Sequence, residues 1–322
     1  MSAESSFGSL LSVIVPAHDP NPARLRRTLA GLRAQTLPRD RWECVLVDNA
    51  SRHFPAPADY ADACPANLRI VQEPRLGLSH ARARGFRECA GAIAVLVDDD
   101  NVLAPEYLQR VHEIFEAHPR LGAAGGKSLP GFEIDPPAWA AEFGGLLALR
   151  DLGDDPMVAG IEVSRESGLL VYPLFAPLGA GMALRRAAWD AWLAARERDP
   201  ARFSDRRGSE LTSAGDNDIV LCALRAGWEA GYFPQLQLTH LIPPERLRPE
   251  YLARLNRGIQ KSWMQVLATH GANPWPPLSQ ASAALRKAKA WFVYRAWSSP
   301  QARIRWQGAC GHFEGRVAKA SW

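Results

Sequence analysis

Ala92-Ile93-Ala94-Val95-Leu96-Val97-Asp98-Asp99-Asp100-Asn101 decides how this chain is read. Six small or apolar residues run without interruption into three adjacent carboxylates. An apolar run of this length suits a strand buried on both faces, as in a parallel sheet covered by helices. Working outward, residues 11–16 (Leu-Ser-Val-Ile-Val-Pro) and 42–48 (Trp-Glu-Cys-Val-Leu-Val-Asp) repeat the pattern, and residues 68–72 add a further strand. Helical periodicity lies between them. Residues 21–35 carry Pro22 in the first turn and Leu25, Leu29 and Leu32 at helical spacing. Residues 79–89 form a short basic helix, and 105–117 begin with proline. The alternation predicts an α/β fold, a mostly parallel sheet flanked by helices. In such sheets ligands bind beyond the carboxyl ends of the strands. Asp19, Asp48 and Asp98 to Asp100 all stand at those ends.

Farther along, residues 131–155 are rich in Gly, Pro and Trp and predict loop with short helical pieces. Residues 187–198 and 218–226 are helical by pattern, and 236–239 are strand-like. Near Ile242 the alternation stops. Residues 249–268 and 285–297 then predict helices, separated by Asn273-Pro-Trp-Pro-Pro277. The expected division is a catalytic domain at 1–245 and a helical, basic extension at 246–322.

The 322 residues are 47% hydrophobic and 22% charged, which excludes a disordered or collagen-like chain. Five cysteines are scattered without a C-x-x-C pair, so neither a disulfide framework nor a zinc ribbon is signalled, and a reducing, cytoplasmic location is expected. The first residues lack the basic start of a signal peptide. Residues 168–184 are uncharged, but Pro173, Pro177, Gly179 and Gly181 interrupt them and argue against a membrane span. The net charge of +4 is unevenly placed. Residues 285–322 hold eight cations against Glu314 alone, so the body of the chain is slightly acidic and shows no nucleic-acid footprint.

Four features carry chemistry. Asp98, Asp99 and Asp100 repel one another at short range, and a divalent cation removes that cost. Oxygen donors of this kind suit Mg²⁺ or Mn²⁺, which also bind substrate phosphates; the plain alternative is a solvated acidic turn. Residues 75–84 (Arg-Leu-Gly-Leu-Ser-His-Ala-Arg-Ala-Arg) place Gly77 before a helix that Ser79 can cap, with Arg82 and Arg84 near its positive end, a setting that favours a diphosphate. Asp216, in Ala214-Gly-Asp-Asn-Asp-Ile219, stands where a loop becomes a helix, as a helix cap or a general base. His240 follows the strand at 236–239; alone, such a histidine is more often structural than a ligand.

Taken in order, Val13-Ile-Val-Pro16, Val45-Leu-Val-Asp48, Gly77-Leu-Ser-His-Ala-Arg82, Val97-Asp-Asp-Asp-Asn101, Leu178-Gly-Ala-Gly-Met-Ala-Leu-Arg-Arg186 and Gly215-Asp-Asn-Asp-Ile-Val220 resemble the motifs of family 2 glycosyltransferases with the GT-A fold. The resemblance covers roughly residues 11–242. It implies that Pro16 and Asp48 line the nucleotide pocket, with Asp19 in the same donor-binding set. Arg82 contacts base or phosphate, Asp98 faces the ribose beside Asp99, Asp100 holds the metal, and His240 matches a histidine near it. Asp216 matches the second acid of a Glu-Asp pair and becomes the base. Three places depart from the family: His18-Asp19 replaces Tyr-Asn, Asp48-Asn-Ala-Ser51 replaces Asp-Asp-Gly-Ser, and Gly215 replaces the Glu of the pair.

The resemblance therefore implies an inverting, Mn²⁺- or Mg²⁺-dependent glycosyltransferase. It would move a sugar from a nucleotide-sugar donor to a carbohydrate or glycolipid acceptor in cell-surface polysaccharide or glycolipid assembly. Two rivals share its features: a non-catalytic scaffold of the same fold, and a sugar nucleotidyltransferase. The second should show a Gly-rich basic loop after the first strand, where Ala17-His-Asp-Pro20 stands instead. In the tail, Leu285, Ala288, Phe292 and Ala296 form one apolar stripe flanked by Lys287, Lys289 and Arg295, compatible with peripheral contact at the inner face of the cell membrane or with packing on the catalytic domain.

Overall fold

The structure is a computed structural model that describes residues 11–199, 211 and 213–317. Eleven strands appear among the described residues: β1 (Leu11–Ala17), β2 (Trp42–Asn49), β3 (Leu68–Glu73), β4 (Ile93–Leu96), β5 (Asn101–Leu103), β6 (Leu121–Phe132), β7 (Met157–Ala159), β8 (Glu162–Val163), β9 (Leu170–Val171), β10 (Ala183–Arg185) and β11 (Glu229–Ile242). The helices are α1 (Pro22–Arg33), α2 (Leu78–Glu88), α3 (Tyr107–Ala117), α4 (Arg186–Arg198), α5 (Gly215–Arg225), α6 (Pro249–Thr269), α7 (Gln280–Val293) and α8 (Pro300–Gly315).

The main sheet runs β3-β2-β1-β4-β10-β6-β11-β5, with β7 on β11, while β8 and β9 pair separately. β3, β2, β1 and β4 are mutually parallel, as are β6 and β11; β10, β5 and β7 run against their neighbours. The fold is thus mixed α/β with a largely parallel sheet flanked by helices and a helical C-terminal region.

Two apolar layers cover the sheet. Leu25, Leu29 and Leu32 of α1 and Leu108, Val111 and Phe115 of α3 bury one face with Val13, Val15 and Val95. Phe86 of α2, Trp189 and Trp192 of α4 and Ile219 and Val220 of α5 bury the other with Ile14, Val45 and Leu96. Full burial of each large side chain stabilises the fold by about 1.5–3 kcal/mol. The packing is close. A Cβ at Gly85 of α2 would lie 2.3 Å from the Cγ2 of Ile14 in β1.

The register aligns the strand ends. Ala17 pairs with Asp48, Asp48 with Gln72, and Ile14 with Leu96, so the residues after β1, β2, β3 and β4 emerge along one edge. Details differ from the sequence reading. α5 begins at Gly215, three residues earlier than expected, and α2 at Leu78, with Gly77 at φ 139° as its N-cap and no side-chain cap. β6, β10 and α8 had no counterpart in the reading. α7 is displaced five residues toward the N-terminus at its start. No helix of the described residues is long and apolar enough to cross a membrane. All five cysteines are free.

α6 and α8 pack face to face. Gly308, Gly311 and Gly315 make this approach; a Cβ at Gly311 would sit 2.0 Å from the Arg257 carbonyl.

Candidate functional site

A cleft of about 290 Å³ opens at the aligned strand ends. β1 contributes Pro16, and the turn beyond it His18. α2 contributes Arg82, and the turn after β4 contributes Asp98, Asp99 and Asp100. His240 comes from β11, Asp216 from the first turn of α5, and Arg246, Tyr251 and Leu255 from the chain that follows the sheet.

The acidic turn is compact. The Asn101 N–H donates to the Asp98 carbonyl at 3.0 Å, which folds the three carboxylates together before β5 starts. Asp100 is buried. Its Oδ2 lies 2.8 Å from Arg246 Nη2, and its Oδ1 accepts from Asn101 Nδ2 at 3.0 Å and stands 3.5 Å from His240 Nε2. His240 is there because β11 pairs with β5, with His240 opposite Asn101. Burial, then the Asp100 and Asp98 charges beside it, push Asp99 up to about 8. Asp98 is half-exposed, with Oδ1 3.8 Å from Arg82 Nη2; the Arg82 side chain itself is buried.

Because a guanidinium only donates, the 2.9 Å contact of Arg246 Nη1 with His240 Nε2 makes that nitrogen an acceptor and puts the imidazole proton on Nδ1. His240 Nδ1 is buried without a hydrogen-bond partner. The single Nε2 lone pair is taken by Arg246, and it would be open to a cation beside the Asp100 carboxylate only with Arg246 withdrawn. Two donor atoms 3.5 Å apart are near the roughly 3 Å separation of adjacent ligands on one octahedral cation. The donor set fits a divalent metal.

Asp216 is held on both oxygens. Oδ2 accepts the Gly179 N–H and Oδ1 the Asn217 N–H, each at 2.9 Å. Gly179 sits between the arginine and the acid: a Cβ there would lie 2.6 Å from Arg82 Nη2 and 3.3 Å from Asp216 Cβ. The segment before it is pinned by Arg150, whose Nη1 donates to the carbonyls of Phe175 and Ala176. Asp218, two residues on, faces away. It is buried, accepts from Trp192 Nε1 at 2.8 Å, and meets His270 Nε2 at 2.8 Å. Cys222 lies close enough to complete a group of three metal-capable side chains, yet the Asp218–His270 contact is already closed at hydrogen-bond distance.

The structure therefore brings Pro16, Arg82, Asp98, Asp99, Asp100, Asp216 and His240 to one cleft. Asp19 and Asp48 stand at the same edge but not in its lining. Asp19, at φ 44°, accepts the Arg52 and His53 N–H groups at 2.7 and 2.8 Å; the His53 bond first holds its carboxyl below the usual range, against the effect of burial. Asp48 accepts the Ser51 N–H at 3.2 Å. Asn49 occupies the lining instead, and its amide ties β2 to the loop before α2 through Glu73, Arg75 and Gly77. Sequence reasoning missed Asn49 and Arg246. Asn49 carries no periodic signal, and Arg246 gains its meaning only from the ion pair with Asp100.

Residues 12–152 match the family model described as Glycosyl transferase family 2. The uncharacterized protein y4gI of Sinorhizobium fredii is 31% identical over 115 residues, which is 35% of this chain and 12% of that protein. The O-antigen biosynthesis protein RfbC of Myxococcus xanthus is 30% identical over 146 residues, 41% of this chain and 11% of that one. The matched region thus spans about a tenth of the length of these relatives. Among solved structures, the mannosyltransferase PcManGT of Pyrobaculum calidifontis, in complex with GDP-Man and Mn²⁺, superposes with a TM-score of 0.55 at 18% identity, covering 95% of this chain and 88% of that one.

Proposed function

We propose, from a chain whose residues 12–152 belong to glycosyl transferase family 2 and whose fold is GT-A, that it transfers a sugar from a nucleoside diphosphate sugar to an acceptor hydroxyl with inversion. The observation that carries this reading is the meeting of Arg82, the Asp98–Asp100 turn and Asp216 in one cleft.

Asp100 and His240 would hold a divalent cation, with Asp98 beside them. When bound, the cation supplies charge to offset the leaving diphosphate. A mixed carboxylate and imidazole set favours Mn²⁺ over Mg²⁺, because imidazole is the softer donor. Arg82 adds a fixed positive charge from a buried position, where it acts more strongly than in water. Pro16 and the backbone near Gly77 form the wall for the nucleoside, and Asp98 and Asp99 face its ribose. Asp19 and Asp48 serve donor binding by shaping the 48–53 turn beside that wall.

Asp216 takes the acceptor proton. Each of its oxygens accepts one N–H and keeps a second lone pair for the hydroxyl. A single base facing the donor sugar implies one displacement, and hence inversion. Gly215, in place of the family's Glu, removes one side chain from the acceptor's side. Residues 1–245 form the catalytic unit and 246–322 an extension that lends Arg246, Tyr251 and Leu255 to the cleft. The RfbC relative supports a role in cell-surface polysaccharide or glycolipid assembly, and five unpaired cysteines support a cytoplasmic site.

A nucleotide-release screen across sugar donors, with Mn²⁺ or Mg²⁺ and oligosaccharide acceptors, tests the reading. Release from one donor, dependent on cation and on Asp100, is the expected result. Binding of donors without release in any cation would leave a scaffold instead of an enzyme.

A further inference from the structure

α7 turns its apolar side outward. Its inner face is alanine, with Ala283 and Ala290 buried against the rest of the extension, while Leu285 is 73% exposed and Phe292 and Val293 are each 67% exposed. A helix that only packs on a neighbour does the reverse. Ala296, expected in the same stripe, is buried, and Trp297 takes its place at 55% exposure.

The turn after α7 is built to display this patch. Arg295 adopts φ 50°, a conformation that helix ends usually give to glycine. The Ser298 N–H closes the turn on the Arg295 carbonyl at 2.8 Å, and the Ala296 N–H returns to Trp291 at 3.0 Å. Trp297 is thereby folded onto Phe292, ring centroids 5.9 Å apart. Behind the patch, α7 is anchored on α8: Trp306 Nε1 donates to the Lys287 carbonyl at 3.1 Å, and Lys287 Nζ to Glu314 at 2.9 Å. The exposed aromatics are held in place.

The surface is also cationic. Arg286 borders the patch, Lys289 stands within it between Leu285 and Phe292, and Arg295 lies in the turn; all three are exposed, and no acidic residue occurs between Gly271 and Phe313. A second copy of this surface would set like charges against each other, which opposes self-association. An anionic partner with an apolar interior satisfies both parts of the surface.

We propose that α7 and the turn after it dock the protein on an anionic lipid bilayer, with Leu285, Phe292, Val293 and Trp297 in the acyl boundary and Arg286, Lys289 and Arg295 on the lipid phosphates. The docking is independent of donor chemistry. It stands or falls apart from the glycosyl-transfer reading.

The full chain is sedimented with vesicles of phosphatidylcholine alone and of phosphatidylcholine mixed with phosphatidylglycerol, at low and high salt. Binding to the mixed vesicles, weakened by salt, is expected. Phe292→Ser with Trp297→Ser should lower the partition by about tenfold or more, and Arg286→Gln or Lys289→Gln by about fivefold each. Val163→Ser, on a distant exposed strand, should leave it unchanged. Circular dichroism confirms that each variant is folded. Equal partition of the aromatic double variant and the parent, equal binding to both lipid mixtures, or a dimer in light scattering that the double variant dissociates would each overturn the proposal.

Discussion

Arg246 Nη2 lies 2.8 Å from Asp100 Oδ2, joining the residue just beyond the last sheet strand to the end of the acidic turn. The same guanidinium reaches His240 Nε2, so one cation contacts both groups suited to hold a metal. Burial is the largest single influence and works against the Arg246 charge, but Asp100 together with Tyr251, Asp99 and Asp98 outweighs it, so the pKa of Arg246 is raised. If the cleft holds a cation-bridged diphosphate, as proposed, this arginine would compete with the metal for Asp100 and could pair with the phosphates instead.

That competition predicts opposite effects on two ligands. Arg246→Met should bind Mn²⁺ alone more tightly than the parent and a nucleoside diphosphate more weakly, by about tenfold. Removing one partner of a buried pair costs about 3 kcal/mol or more, so the metal-free variant should melt earlier, and Mn²⁺ should restore more of its stability than it adds to the parent. Calorimetry and melting curves with and without Mn²⁺ check this. Equal Mn²⁺ affinity in both proteins would remove Arg246 from the metal site.

Asp216→Asn keeps the shape and one of the two N–H contacts, from Gly179 or Asn217, but sets an amide donor against the other and no longer accepts a proton. Turnover should fall by about 10²–10⁴-fold, the usual contribution of a positioned base. Donor affinity, measured by calorimetry, should stay within about twofold of the parent. Retained turnover would take Asp216 out of the chemistry.

Asp218 has a different task from Asp216 on the same helix turn. It satisfies Trp192 Nε1 and His270 Nε2, linking α4, α5 and the end of α6. Asp218→Ala leaves two buried donors without an acceptor, at about 2–4 kcal/mol. A lower melting temperature, with Asp218→Asn in between, is expected. Loss of turnover at temperatures where the variant is still folded would show that the contact also positions Asp216.

β1, β2 and β4 were legible because they are buried on both faces and therefore almost continuously apolar. β6 was not, and the reason is steric. Gly125 and Gly126 break its strand pattern, yet a Cβ at Gly126 would lie 2.1 Å from the Leu236 carbonyl and 2.3 Å from that of Phe233, where β11 is irregular in register. The acids at the strand ends were readable from position alone, as was Arg82 from its place in α2. Which of those acids line the cleft was not. Asp19 and Asp48 each turn Oδ1 to backbone N–H groups of one turn, a choice made by local backbone geometry that spacing does not record. Arg246 was invisible for another reason, since it matters through a contact 146 positions away in the chain. In the tail, the apolar stripe was found but not its direction, which depends on the alanine face that α8 covers.

Glu314 is the one acid among the basic residues of the last helices, and it joins three elements. It accepts from Arg257 Nε of α6 and from Lys287 Nζ of α7, each at 2.9 Å. Burial raises its pKa, but the bonds from Arg257 and Lys287 outweigh burial and hold it below the usual glutamate value. A depressed folded pKa means stability that is present above the unfolded value and is lost as pH falls through the folded one. Glu314→Gln should therefore cost about 1–2 kcal/mol near neutrality, after allowance for solvent screening. The cost should vanish in acid, where the parent's carboxylate is itself protonated. Melting curves from neutrality down through the carboxylate range measure this. A difference between variant and parent that persists in acid would mean that Glu314 holds α6, α7 and α8 by its packing and not by its charge.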